Sequence, residues 1–203
     1  MRKNMIDINL IDIIADLMIR FWQFTVLGIL IIIGLVINLT DKFLKGNKVD
    51  FSYTELPHMQ PIRIPTKDKG FWGAIWLWFM TVRTWTITKD FYYKLNGQEY
   101  VIPKGFTFDG ASVPKFLASF LSPVGVLLIG GLIHDYAYKY SALKQKNGRL
   151  FLLNQKIADT IFRDINIEVN GFHFLNYLAY WALRIGGFVA WNGHRKRNAK
   201  IEE

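Results

Sequence analysis

The chain has 203 residues, a formal net charge of +9 and no cysteine. The absence of cysteine excludes a disulfide framework, a cysteine-ligated zinc site and a thiol nucleophile. Hydrophobic residues make up 51% of the chain and aromatic residues 16%, which is rich for a soluble domain and suggests contact with lipid. The basic charge favours anionic partners such as phospholipid headgroups, nucleic acid or acidic glycans.

The first part of the chain has the pattern of a helical membrane anchor. Residues 5–20 carry polar side chains at spacings of three and four, which predicts an amphipathic helix. Residues 21–39 contain no charge, and about 20 apolar residues span a bilayer core. We therefore predict a transmembrane helix and a single-pass membrane location. A signal peptide and a buried core helix are the alternatives.

The middle of the chain changes from a linker to strands. Residues 46–70 hold three prolines, several charges and little periodicity, which predicts a linker. The aromatic run at 71–80 is too short to span a bilayer, so it is a core strand, a short buried helix or an interfacial patch, and we favour the core. Residues 84–88 alternate as in a strand. Asn96-Gly97 then predicts a hairpin.

Three helices are predicted after the hairpin. A Ser-Pro helix start at 122–123 opens a helix to about residue 141, and a polar loop follows. Further helices cover about 152–165 and 172–192. The last is long enough to span a membrane, but its central Arg184 argues against this, because a mid-helix Arg costs roughly 2.5–3.5 kcal/mol on insertion scales.

The predicted fold class is α+β, with an N-terminal transmembrane helix, a small antiparallel β-hairpin sheet and a three-helix C-terminal unit. We divide the chain into an anchor (1–48), a linker with the aromatic lead-in (49–82) and an α+β domain (83–203).

A polar cluster in the C-terminal domain is the candidate functional centre. His134 and Tyr138 are four residues apart and share a helix face. A histidine activates water when a carboxylate holds its other nitrogen, and Asp159 in the next helix is the expected partner of Tyr138. Asp135 and Asp109 have the oxygen ligands that calcium prefers.

Several alternatives remain open for this cluster. The polar side chains can instead form a buried network that locks two helices without chemistry. The loop FDGASVP can be a structural turn. Ser112 lacks the surroundings of an activated nucleophile. A zinc site with His58 and His173 lacks ligand-like spacing, and a His…His-Asp…Asp phosphohydrolase would need His58, which lies in the proline-rich stretch.

Four separated blocks resemble the DUF1353 family, a domain of unknown function found in bacteriophages and prophages. The blocks are VIPKGFTFDGASVP, IHDYAYKY, IADTIFRDI and WALRIGGFVAW, in that order. The resemblance covers about residues 85–191 and departs from the family pattern at Phe108 and Gly110. It implies a viral or prophage origin and carries no settled activity.

The motif HDYAY, followed by Ala158-Asp159, is also similar to the HDxxY helix of phospholipase A2 enzymes, particularly the viral capsid type. That resemblance implies His134 as the base that activates water, Asp159 as the group that orients it, and Tyr138 as support for Asp159. It implies Asp135 as a calcium ligand, with residues 105–110 in place of the calcium loop. The Y-x-G-x-G pattern of that loop is missing.

Two functions follow as hypotheses. The first is a membrane-anchored phage or prophage protein that acts at the host envelope or a viral membrane without known chemistry. The second is a calcium-dependent, phospholipase A2-like lipid or ester hydrolase using His134 and Asp159. The expected partners are a lipid membrane and other virion or phage proteins. Nucleic acid is an unlikely partner, because the basic residues are scattered and form no binding motif.

Overall fold

The computed structural model describes Leu17 and residues 19–43, 49–81, 84–109 and 125–197. Within these ranges there are five helices and eight short strands. In chain order they are α1 Trp22–Phe43, β1 Phe51–Tyr53, β2 Met59–Pro61, α2 Gly70–Met80, β3 Trp85–Ile87, β4 Phe91–Leu95, β5 Gln98–Ile102, β6 Thr107–Phe108, α3 Leu128–Tyr140, β7 Ala142–Lys144, β8 Leu150–Leu152, α4 Gln155–Asn170 and α5 His173–Lys196. The chain divides into two units, residues 1–45 and 46–203.

The N-terminal transmembrane helix is a wrong prediction. Among the described residues, no helix has the length and apolar character required to cross a bilayer, which also contradicts the single-pass membrane location. Helix α1 does form over the predicted segment. Its uninterrupted apolar stretch, however, is the 12 residues between Thr25 and Asn38, or about 18 Å of helix, against a hydrocarbon core of about 30 Å. The amphipathic helix predicted at 5–20 lies almost wholly outside the described residues.

The aromatic run at 71–80 forms a helix, α2, whose large side chains at 71, 72 and 76 are exposed. Phe71, Trp72 and Trp76 are 72%, 78% and 64% exposed, so the predicted core position is wrong for these three side chains. The helix is apolar on every side. Its sequence therefore does not show which face is buried and which is exposed.

The sheets combine the predicted hairpin with strands from the predicted linker. β4 and β5 pair antiparallel around Asn96-Gly97, where both residues have positive φ as a tight hairpin turn requires. β1 pairs with the other edge of β4, and β2 pairs with β3, which in turn pairs with β6. Residues 49–61, predicted as linker, therefore complete two three-stranded sheets.

The polar loop after α3 is a second hairpin, β7–β8, joined to the first sheet by a bridge between Tyr100 and Gln145. This hairpin lies between α3 and α4. Because the polar residues of its turn mask the short apolar strands beside them, the sequence pattern indicates only a loop.

Helices α3, α4 and α5 pack on one another and carry the candidate site. Helix α4 is capped at its start by Asn154, whose side-chain Oδ1 accepts the Ile157 N–H, and at its end by Gly171, which has φ +64°. The core lies between these helices and the sheets, with Ile87, Ile102, Leu132 and Ile133 fully buried. The class is α+β, as predicted, without the membrane-spanning component.

Candidate functional site

The centre of the site is a hydrogen bond between helices α3 and α4. His134 Nε2 lies 2.9 Å from Asp159 Oδ1, and both residues are buried, with 3% and 0% of their surface exposed. The sequence predicted that a carboxylate would hold one nitrogen of His134, and the structure brings Asp159 to that position.

Two further donors bind the Asp159 carboxylate. The Tyr138 hydroxyl donates to Asp159 Oδ1 at 2.6 Å, as predicted, and itself accepts a bond from Gln155 Nε2 at 3.2 Å. Arg184 of α5 donates to Asp159 Oδ2 at 2.7 Å. Sequence analysis assigned no site role to Arg184, although an arginine in the middle of an apolar helix signals a buried partner.

The three donors keep Asp159 ionised. Burial on its own raises the pKa of Asp159, but the hydrogen bonds from His134, Tyr138 and Arg184 outweigh it and hold the pKa below its usual range. A carboxylate only accepts hydrogen bonds, so His134 Nε2 must carry a hydrogen. In the neutral imidazole the opposite nitrogen, Nδ1, is then the basic atom.

The basic nitrogen of His134 points toward Asp135. Nδ1 lies 3.8 Å from Asp135 Oδ1, which is longer than a hydrogen bond. Burial lowers the pKa of His134, and the nearby Asp135 carboxyl group together with the hydrogen-bonded Asp159 raises it by more, so that the net shift is upward. The two neighbouring carboxyl groups thus favour the protonated imidazole.

Asp135 is the member of the cluster whose hydrogen bonding is incomplete. Its Oδ2 is buried and has no hydrogen-bond partner among the described residues. Burial is the main cause that raises its pKa to about 7; the contact with His134 lowers the pKa, and the charge of Asp109 raises it further. Asp109 is also within hydrogen-bonding reach of Asp135, and two carboxyl groups share a hydrogen bond only when one is protonated. Asp135 thus exchanges its proton near neutral pH.

The two carboxylates do not make a metal site with the other described residues. Asp109 and Asp135 do approach each other, as the predicted calcium ligands should. In the described ranges, however, no group of three or more His, Asp or Glu side chains could hold an ion, and calcium takes six to eight oxygen ligands. The residues described do not fit calcium, and the same finding applies to the zinc site considered with His58 and His173, because those histidines belong to no such group among the described residues.

An open cleft of about 820 Å³ gives access to this cluster. His134, Asp135, Tyr138 and Asp109 line it, and α5 forms a long wall. A volume of this size accommodates a small-molecule ligand. The candidate residues Ser112 and Gly110 lie outside the described residues.

Close packing against two glycines positions the side chains of Tyr138 and Asn166. A Cβ on Gly187 would lie 2.4 Å from Tyr138 Oη, and one on Gly130 would lie 2.2 Å from Asn166 Nδ2. The Gly130 N–H donates to Asn166 Oδ1. Helices α3, α4 and α5 can therefore approach to hydrogen-bonding distance only because these positions lack side chains.

The last turn of α3 is also tied to α5. Arg195 Nη2 donates to the carbonyl oxygens of Tyr138 and Lys139, at 2.8 and 2.6 Å. A cation at the C-terminal end of a helix satisfies carbonyls that have no partner within the helix. Tyr138 is thus held by its hydroxyl, by its carbonyl and by the Trp191 ring, whose centroid lies 5.2 Å from that of Tyr138.

Comparisons with known proteins identify the domain but not its activity. Residues 85–183 match the model of the family described as "Protein of unknown function (DUF1353)", which confirms the resemblance seen in the sequence blocks. No curated protein and no solved structure gives a significant match. The chain is therefore similar to the DUF1353 family over this segment, which includes Asp109, His134, Asp135, Tyr138 and Asp159 and ends one residue before Arg184.

Proposed function

We propose that the cleft is the active site of a hydrolase that cleaves carboxylic esters, with His134 as the general base that activates water. One observation carries the proposal: the Nε2 side of His134 is fixed by a buried, ionised Asp159, while Nδ1 lies on the side of Asp135, in a cleft of ligand size. A base needs both an orienting group and access to the reacting atom.

The reaction follows from these positions. Nδ1 of His134 takes a proton from water as the water oxygen bonds to the ester carbonyl carbon. The tetrahedral intermediate then expels the alcohol, and His134 returns its proton to the departing oxygen. Asp159 stabilises the imidazolium that forms between these two steps. Acid–base catalysis of this type contributes about 10²–10⁴-fold to a rate.

Asp135 supplies a second proton near the same point. A carboxyl group with a pKa of about 7 is partly neutral at physiological pH, and a neutral carboxyl group donates a hydrogen bond to developing negative charge. We assign Asp135 this role toward the carbonyl oxygen, and the nearby charge of Asp109 favours the protonated form of Asp135 that the role requires. No step of the proposal uses a metal ion.

The alternative is a structural network without chemistry. Such a network satisfies its own polar groups, and the three donors on Asp159 do so. Asp135 does not fit a purely structural network, because a largely buried carboxyl group with an unpaired oxygen destabilises the fold. Polar groups left unsatisfied in this way are typical of sites where a ligand supplies the missing partner.

The test is hydrolysis of p-nitrophenyl acetate by the full-length chain, measured as kcat/KM from pH 5 to pH 9. We expect His134→Gln to reduce kcat/KM by about 10²-fold or more, and Asp159→Asn to reduce it severely, because it removes the charge that stabilises the imidazolium. His58→Gln is the matched control: it makes the same substitution at an exposed histidine outside the cleft.

Circular dichroism and thermal unfolding establish that each variant is folded. Equal activity in wild type and His134→Gln contradicts the proposal, as does the absence of hydrolysis by a folded wild type. In either case the His134–Asp159 pair is assigned to the structural network.

A further inference from the structure

The cleft that contains His134 has two chemically different arms along helix α5. The α5 residues that line it recur every three or four positions from Leu178 to Arg197, so one face of the helix forms the wall. Gly187 lies against Tyr138 Oη and marks the level of the His134 network. We define the apolar arm as the part of the cleft before Gly187 and the cationic arm as the part after it.

The apolar arm is lined by uncharged side chains. Helix α5 contributes Ala179, Ala182 and Leu183, and Phe162 of α4 lies beside them. Phe162 and Ala179 belong to a buried hydrophobic cluster, so the arm is continuous with the core. Leu178 precedes Gly187 by nine residues, which gives the arm a length of about 14 Å at 1.5 Å per residue. Small side chains along the wall leave room for a flexible hydrocarbon chain.

The cationic arm concentrates positive charge. His194 and Arg197 of α5 and Lys139 of α3 line it, and Arg197 Nη2 lies 3.0 Å from His194 Nδ1. Burial lowers the pKa of His194, and so do the charges of Arg197, Arg195 and Lys139, with Asp109 opposing them. Three cations that act on one imidazole create a positive potential, which favours an anionic group.

We infer that the cleft binds an anionic amphiphile, with its hydrocarbon chain in the apolar arm and a phosphate or carboxylate group in the cationic arm. This inference rests on the proposed function, since it places the ester bond between the two arms, at His134. Charge-assisted hydrogen bonds from Arg197 and Lys139 fix the anionic group. Burial of the chain supplies affinity that increases with its length.

The first test measures binding by calorimetry to the full-length chain, with each amphiphile below its micelle concentration. We expect dodecyl phosphate to bind about tenfold or more tightly than dodecyl maltoside or dodecyltrimethylammonium, since one good charged contact is worth about this factor. Laurate compared with dodecyl phosphate distinguishes a carboxylate site from a phosphate site. Shortening the chain to octyl phosphate weakens binding by up to about fourfold per methylene removed.

Variants assign the two parts of the ligand to the two arms. Arg197→Gln is expected to weaken dodecyl phosphate about tenfold and to leave dodecyl maltoside unchanged, whereas Arg149→Gln, an exposed arginine outside the cleft, changes neither. Ala182→Trp fills the apolar arm and weakens both ligands. Val169→Trp, on an exposed face of α4, is its control.

Equal affinity for the phosphate, the maltoside and the ammonium amphiphile overturns the inference, and this comparison needs only the wild-type chain. His134-dependent hydrolysis of p-nitrophenyl acetate without headgroup preference overturns the inference and leaves the proposed function intact. Headgroup preference that depends on Arg197 and Ala182, without ester hydrolysis, supports the ligand class and refutes the proposed hydrolase.

Discussion

Replacement of Gly187 by alanine tests whether the α3–α5 contact positions Tyr138. The new Cβ would lie 2.4 Å from Tyr138 Oη and 3.2 Å from Gln155 Nε2. The tyrosine cannot rotate away freely, because its ring packs against His134 and Trp191, with centroids 4.0 and 5.2 Å away. The hydroxyl must therefore be displaced from Asp159, where it now donates at 2.6 Å.

The expected cost combines two effects. Overpacking costs about 1–3 kcal/mol, and loss of a hydrogen bond to a charged group costs about 1.5–3 kcal/mol. The change from glycine to alanine offsets about 0.5–1 kcal/mol of this cost, because alanine restricts the unfolded chain and favours the helix. We expect Gly187→Ala to reduce the free energy of unfolding by roughly 2–4 kcal/mol, a urea midpoint shift on the order of 1–2 M.

The neighbouring glycine provides a matched control in the same helical turn. A Cβ on Gly186 would meet nothing within 4 Å, so Gly186→Ala should be neutral or stabilising by up to about 1 kcal/mol. In a Tyr138→Phe background the clashing oxygen is gone, and Gly187→Ala should cost about 1–3 kcal/mol less than it does in the wild type. If Gly187→Ala unfolds at the same urea concentration as Gly186→Ala, the reasoning is wrong.

Three further predictions concern the same network. The carboxyl pKa of Asp135 is raised from 3.8 to about 7, so between these pH values the folded state keeps a proton that the unfolded state has lost. The free energy of unfolding should therefore fall by up to about 4 kcal/mol as pH rises from about 4 to 7. In Asp135→Asn the urea midpoint should depend less on pH across that range. Arg184→Gln removes a cation beside Asp159, and this loss of positive charge should raise the pKa of His134. The acidic limb of the pH–kcat/KM profile should then move to higher pH. An unchanged limb would show that Arg184 has no influence on the base. Gly130→Ala should cost about 1–3 kcal/mol in thermal or urea unfolding, because its Cβ would overlap Asn166; a stable Gly130→Ala variant would contradict the close approach of α3 and α4.

Local patterns in the sequence predicted the parts of the structure that depend on neighbouring residues. Asn96-Gly97 indicated the hairpin because the turn type requires positive φ at both positions. The spacing of His134 and Tyr138 indicated a shared helix face, and an aspartate in the next helix was the expected partner of Tyr138. These inferences needed only helix and turn geometry, which are short-range properties.

The remaining features depend on contacts between distant segments. Arg184 reaches Asp159 only because α5 packs across α3 and α4, and no spacing rule encodes that packing. The strands β1 and β2 are three residues each and pair with partners 24 or more residues away, so their apolar pattern is too short to recognise. For α1 and α2, hydrophobicity indicated burial or membrane insertion without indicating what surrounds the side chains.

The boundary of the matched region falls inside α5, and this has a practical consequence for work with isolated fragments. A fragment cut at residues 85–183 would end in the middle of a 24-residue helix. It would lack the guanidinium groups of Arg184 and Arg195, the His194 and Arg197 side chains of the cationic arm, and most of the cleft wall. At its other end it would lose β1 and β2, which leaves β4 with an unpaired edge that can associate with other chains. The segment that matches the family is thus shorter than the compact unit of residues 46–203. Fragments should therefore extend from about residue 46 through the end of α5.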